Sequence, residues 1–210
     1  MPARIRKYLL ETCSFEDWLS FTFDNTHDFY ICVNTSAAAT TVLRHCTRFF
    51  RDPVFILERY PKAALVKAFE TIPSIDGDLC ALCCEEIPWQ LRSQCIQSLF
   101  ELFARLFQLD QAEFLDGACF MWWEHLRGAQ WNDGPHLFQI KPIVEEIFQL
   151  LERLLQINCR RIQKSALHGL NEFYDETRVM PIIDEYLAHQ QNIDDDLRKY
   201  ALICRDGDAQ

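Results

Sequence analysis

Glycine and proline are scarce in this chain, with six and eight among 210 residues. So few flexible or chain-breaking positions argue against long disordered linkers and low-complexity tails. They also leave little material for glycine-built phosphate loops, and no G-x-G-x-x-G, Walker or G-x-S-x-G motif occurs. H-E-x-x-H is absent too, as is the Glu-x-x-His pair of di-iron bundles. Long apolar runs are missing: no stretch approaches the roughly 18 residues of a membrane span. Near the N-terminus the apolar run is confined to Tyr8, Leu9 and Leu10, too short for a signal-peptide core. The expectation is a cytoplasmic protein that does not enter a membrane. Positive charge is in deficit, 21 Lys and Arg against 31 Asp and Glu, for a net charge of -10. Such a surface repels phosphate backbones, so nucleic acid is not an expected partner; another protein, a basic one in particular, is.

What is present is an ordinary globular balance, 49% hydrophobic and 25% charged. The length suits one helical domain over residues 1–210. Ten cysteines would suit a disulfide framework in a small secreted chain. Here Cys46, Cys95, Cys119, Cys159 and Cys204 fall among apolar residues on expected helices, where a thiol acts as a small buried hydrophobe.

Helical periodicity runs through most of the chain. Ser14 suits an N-cap for a helix over 15–21. The aromatic segment 20–34 breaks the pattern and reads as a small hairpin or an aromatic loop. Ser36 to Phe50 reads as a helix. Asp52-Pro53 and Tyr60-Pro61 then open two more, and residues 76–86 form a short one. Pro88 opens a long helix over 89–108. Asp110 and Glu113 suggest a capping box for a helix ending at Gly128. Residues 128–135, GAQWNDGP, are the clearest loop and the best internal boundary, between parts 1–128 and 136–207. A broad apolar stripe from Ile143 to Leu155 follows.

The pattern over residues 158–207 recurs. Ile162, Ala166 and Leu167 reappear 35 residues later as Leu197, Ala201 and Leu202. Leu91, Cys95, Ile96 and Leu99 occupy the slots of Ile162, Ala166, Leu167 and Leu170, 71 residues earlier. Between the later sets, Val179 to Leu187 forms a second amphipathic helix, with Pro181 suited to its first turn. A period of roughly 20–50 residues marks stacked helical repeats; a chance recurrence in a helical bundle is the alternative. These residues, together with Asp195 and Arg198, resemble a HEAT-type helical repeat. The resemblance is best over 158–207, weaker over 88–127, and does not extend before Pro61. It implies an all-α fold of helical hairpins in an α-α superhelix. It also implies an acidic residue (Asp194 or Asp195) and Arg198 bonding along the stack.

Candidate chemistry is thin. Cys80, Cys83 and Cys84, with Cys95, offer thiols for zinc, but the second separated pair of a structural site is missing; a cysteine-rich core face is the plainer reading. His168 lies in the repeat helix, where a packed histidine is commoner than a ligand. The carboxylate pairs sit where solvated helix faces or caps would hold them. The aromatic region is the better candidate contact site: Trp122, Trp123 and Trp131, with His125 and His136 beside them. Trp131 either stands exposed or folds onto the core. No cofactor is expected. The leading expectation is a non-enzymatic interaction module, an acidic inhibitor or immunity-type protein among its forms. The rival is a hydrolase using carboxylates or histidine in a helical groove. HEAT-type repeats include DNA glycosylases, whose positive groove this charge does not favour.

Overall fold

The computed structural model describes residues 11–24, 35–190 and 193–208. It is all-α. Among the described residues ten α-helices follow one another: α1 (Phe15–Phe23), α2 (Ser36–Arg51), α3 (Ile56–Arg59), α4 (Lys62–Thr71), α5 (Trp89–Leu102), α6 (Asp116–Arg127), α7 (Lys141–Leu155), α8 (Arg160–Glu172), α9 (Glu176–His189) and α10 (Asp195–Arg205). No strand occurs among the described residues; an isolated bridge pairs Gln130 with His136.

Local chemistry starts several helices. Ser14 Oγ accepts from Asp17 N at 3.1 Å, while Ser14 N donates to the Asp17 carboxylate at 3.3 Å. This capping box satisfies two donors at the α1 N-terminus. Thr35 caps α2 and Asp194 caps α10 in the simpler way, each accepting from a backbone N–H three residues on. Pro88 opens α5, which runs on through a π-helical turn at Phe103–Phe107.

Four local expectations need correction. Residues 20–23 are the last turn of α1, with Phe23 buried against Phe49 and Phe69; residues 25–34 of that aromatic segment lie outside the described residues. Residues 76–86 hold only a 3₁₀ helix, Asp78–Cys83. Leu79 through Cys83 are all buried, so this stretch has no polar face for an amphipathic α-helix to turn outward. Asp110 and Glu113 form no capping box. They lie in a 3₁₀ helix, Asp110–Leu115, and Arg161 fastens the turn before it by donating to the carbonyls of Phe107 and Leu109. Pro181 sits inside α9 rather than in its first turn, because Asp175 starts that helix earlier by accepting from Thr177 N. The proline ring therefore leaves the Thr177 carbonyl without its helical donor.

One continuous apolar core runs from Phe15 to Cys204 and includes residues on both sides of the 128–135 loop. Its centre is aromatic. Phe50, Phe69, Phe103 and Phe107 place their rings about Trp122 at 6.0–6.5 Å. Trp123 stacks on Phe103 at 5.3 Å. Its indole N–H donates to Ser165 Oγ, which donates to the Cys119 carbonyl, tying α6 to α8. A Cβ on Gly169 would stand 2.7 Å from Leu151 and 2.8 Å from Trp123, so the bare backbone lets α8 approach both neighbours.

At the other end of the core, the Trp18 indole N–H donates to the Asp78 carboxylate at 3.2 Å. Burial pushes the Asp78 carboxyl from its ordinary 3.8 up to about 6, against the hydrogen bonds from Trp18 and Thr22. Between those values the folded state keeps a proton that the unfolded chain has released. Stability therefore falls as pH rises through that window and stays lower above it. Asp78→Asn is expected to stabilise the protein above the window by about 1–2 kcal/mol, allowing for the residue's partial exposure. The gain should vanish below about pH 4. Thermal melts across pH test this; a variant weaker at every pH would show that the carboxyl's hydrogen bonds and packing outweigh the cost of burying its charge.

Candidate functional site

The sharpest chemical constellation lies where α6 meets α8. His168 and Glu172 are one helical turn apart on α8, and Glu124 comes from α6. His168 Nε2 is 4.0 Å from a carboxylate oxygen of each. The three ligand-type atoms all lie within 4.8 Å of one another, and no other such group of three occurs among the described residues. Side-chain exposure grades outward, 7% for His168, 19% for Glu172 and 51% for Glu124, so the cluster reaches solvent on the Glu124 side.

The histidine ring is held in place. Phe120 stacks on it, centroids 4.2 Å apart and planes 12° from parallel. Its Nδ1 is 3.4 Å from the Tyr200 hydroxyl on α10, which also hydrogen-bonds Cys204. Nε2 is buried and has no hydrogen-bond partner. Burial lowers the imidazole pKa; the Glu124 carboxylate opposes that and Lys164 adds to it. Burial raises the Glu172 carboxyl, with Glu124 adding to the rise and Arg127 opposing it.

The aromatic candidates divide. Trp122 and Trp123 are fully buried, so they belong to the core and offer a partner no surface. Trp131 is half-buried and packs on the core from the loop. His125 is half-buried, its Nδ1 without a hydrogen-bond partner. His136 belongs to the loop's own closure, its Nδ1 3.1 Å from the Gly128 carbonyl and its N–H donating to Gln139. The exposed ring beside them is Phe138, 40% exposed and stacked on His136, with the Arg127 guanidinium 4.6 Å over it.

The residues expected to bond along the helix stack, Asp194 or Asp195 and Arg198, also divide. Asp195 is exposed in the first turn of α10. The neighbouring Asp194 makes the interhelical link, accepting from Arg160 Nε at 2.7 Å. Arg198 donates to the Gln190 carbonyl at 3.5 Å. Gln163, 35 positions earlier, donates to the Leu155 carbonyl at 3.3 Å, so both side chains reach eight residues back to the end of the preceding helix.

A second feature was not foreseen. A groove of about 360 Å³ between α2 and α5 is lined by Arg44, Arg48 and Arg51, with Leu43, Leu91 and Gln94. The arginines recur at one-turn spacing, which puts them on one face of α2. None forms an ion pair with a described residue; Arg48 lies 4.0 Å over the Phe15 ring. The cysteine candidates form no metal-type cluster among the described residues. Cys80, Cys83, Cys84 and Cys95 are buried, Cys83 donates to the Ala129 carbonyl, and burial raises the pKa of Cys83, Cys84 and Cys95.

Comparison with protein-family models, curated proteins and solved structures finds no match. No helix among the described residues is long and apolar enough to cross a membrane.

Signals for the α6–α8 cluster were in the chain as His168-x-x-x-Glu172, a one-turn pair. Glu124, 44 positions before His168, carried none. The Arg44, Arg48, Arg51 spacing was legible but was masked by the negative total charge.

Proposed function

We propose that the chain is a non-enzymatic, HEAT-like cytoplasmic module that binds another protein, taking an acidic segment of its partner into the α2–α5 groove. The observation that carries this is the row of three arginines that pair with no carboxylate among the described residues, lining a concavity in a protein of net charge -10. Other arginines meet carboxylates, as Arg59 meets Glu16 and Arg205 meets Asp184, and those that do not, such as Arg127 and Arg153, are not gathered in a row along one groove. Guanidinium forks beside apolar Leu43 and Leu91, unpaired among the described residues, suit carboxylates carried on an apolar backbone. The parallel bonds of Gln163 and Arg198 support reading α7–α8 and α9–α10 as repeated units. The general acidity alone would favour a basic partner; the groove favours the opposite charge, and the reading commits to the groove.

Fluorescence anisotropy with a labelled oligoglutamate peptide and a matched oligolysine peptide tests it. The glutamate peptide is expected to bind at low ionic strength despite the net repulsion. Arg44→Glu with Arg48→Glu should weaken it about tenfold or more. Binding of the lysine peptide instead, or no effect of the double variant, overturns the reading. A hydrolase remains the second reading, favoured by His168 between two carboxylates. Turnover of an ester or peptide substrate that His168→Gln abolishes would establish it in place of the module.

A further inference from the structure

We propose that Glu124, His168 and Glu172 form a binding site for a first-row divalent cation of the zinc type. This stands apart from the partner-binding groove. The decisive group is His168 Nε2, a buried nitrogen with no hydrogen-bond partner, facing two carboxylate oxygens at 4.0 Å each. Those separations are too long for hydrogen bonds. They suit ligands around a common centre after a small inward swing, which the half-exposed Glu124 and the flexible glutamate chains allow.

His168 Nδ1 lies 3.4 Å from the Tyr200 hydroxyl, which can accept from Nδ1–H. In that tautomer Nε2 presents its lone pair between the two carboxylates, and a cation bound there would satisfy all three and select that tautomer. A ligand histidine whose other ring nitrogen is held by a neighbouring group is the usual arrangement around bound metal. The Phe120 stack fixes the ring plane, so the nitrogen is preorganised. Two cations lie nearby, Lys164, 5.0 Å over Phe120 and 5.6 Å over Tyr200, and Arg127, which acts on Glu172, and neither forms an ion pair with the trio.

One imidazole with two carboxylates suits zinc, manganese or iron better than magnesium or calcium, which prefer all-oxygen sets. Three protein ligands leave a fourth position open. It would face solvent on the Glu124 side, where water or a small oxygen ligand completes the shell.

The test uses the full chain, stripped with chelator and titrated with Zn²⁺ by calorimetry and with Co²⁺ by absorption. Near-stoichiometric Zn²⁺ binding and a rise in melting temperature are expected. Co²⁺ should give ligand-field bands without the near-ultraviolet thiolate band that the many cysteines would produce. Glu124→Gln, at a half-exposed position that should leave folding intact, is expected to weaken Zn²⁺ about tenfold or more; His168→Gln should remove the site. Unchanged affinity in Glu124→Gln, a thiolate band, or no Zn²⁺ binding by the folded wild type each overturns the proposal.

Discussion

Replacing Trp122 with alanine is expected to lower the unfolding free energy by about 3–5 kcal/mol. The indole is fully buried, and four phenylalanine rings from α2, α4 and the π-helical end of α5 surround it at 6.0–6.5 Å. Those rings come from three parts of the chain, so they cannot collapse together into the space without moving whole helices. A domain of this size has only about 5–15 kcal/mol to lose. Trp122→Ala should therefore unfold at much lower denaturant, if it folds at all. Trp122→Phe separates the causes. It keeps most of the volume and removes an indole N–H that has no hydrogen-bond partner, so it should cost distinctly less. Trp131→Ala should also cost less, because that ring is half-buried. Urea melts of the three variants give the order. A Trp122→Ala protein within about 1 kcal/mol of wild type would show that the aromatic centre is not packed in this way.

Gly77→Ala is expected to destabilise by about 3 kcal/mol or more, the upper end for overpacking. The glycine follows the turn after α4 and precedes the buried 3₁₀ helix. A Cβ there would lie 2.0 Å from the Thr71 carbonyl oxygen and 2.6 Å from that of Ile72. Both are backbone atoms, and each already anchors the turn: Ser74 N donates to Thr71 O, and Leu79 N donates to Ile72 O at 3.0 Å. Relief would require breaking those bonds or lifting the Asp78–Cys83 segment off the core, since neither carbonyl can rotate away as a side chain would. Gly117→Ala is the control, because its Cβ would meet nothing within 4 Å and should gain slightly from helix propensity. Thermal melts of the pair measure the difference; equal melting temperatures would mean the 71–77 turn relaxes freely.

Much of the helix inventory was legible in local pattern. Ser14, Pro61, Pro88 and Gly128 stand at helix ends as their chemistry requires, and the Ile143–Leu155 stripe is buried apart from a half-exposed Val144. The failures have a common cause. Residues 76–86 pattern as a helix, yet Leu79 to Cys83 are all buried and the segment tightens into 3₁₀ geometry. Pro181 would suit a first turn, yet Asp175 supplies an earlier cap. Leu202 stands at the same spacing as buried Leu167 but is 47% exposed, because burial is set by what packs on a position in space and not by its spacing along the chain. Trp122 and Trp123 look like interface residues by type, and their neighbours in space, not in the chain, make them core.

By itself, then, the chain determined its class: apolar spacing, caps and sparse glycine specify helices because those signals act within one or two turns. Tertiary structure decided which faces were covered, and so where chemistry remains available. It placed Glu124 on α6 against His168 on α8, and opened a groove at three arginines that the net charge conceals. Such sites are made by residues tens of positions apart, and no local rule of spacing or charge reports a distance that only packing sets.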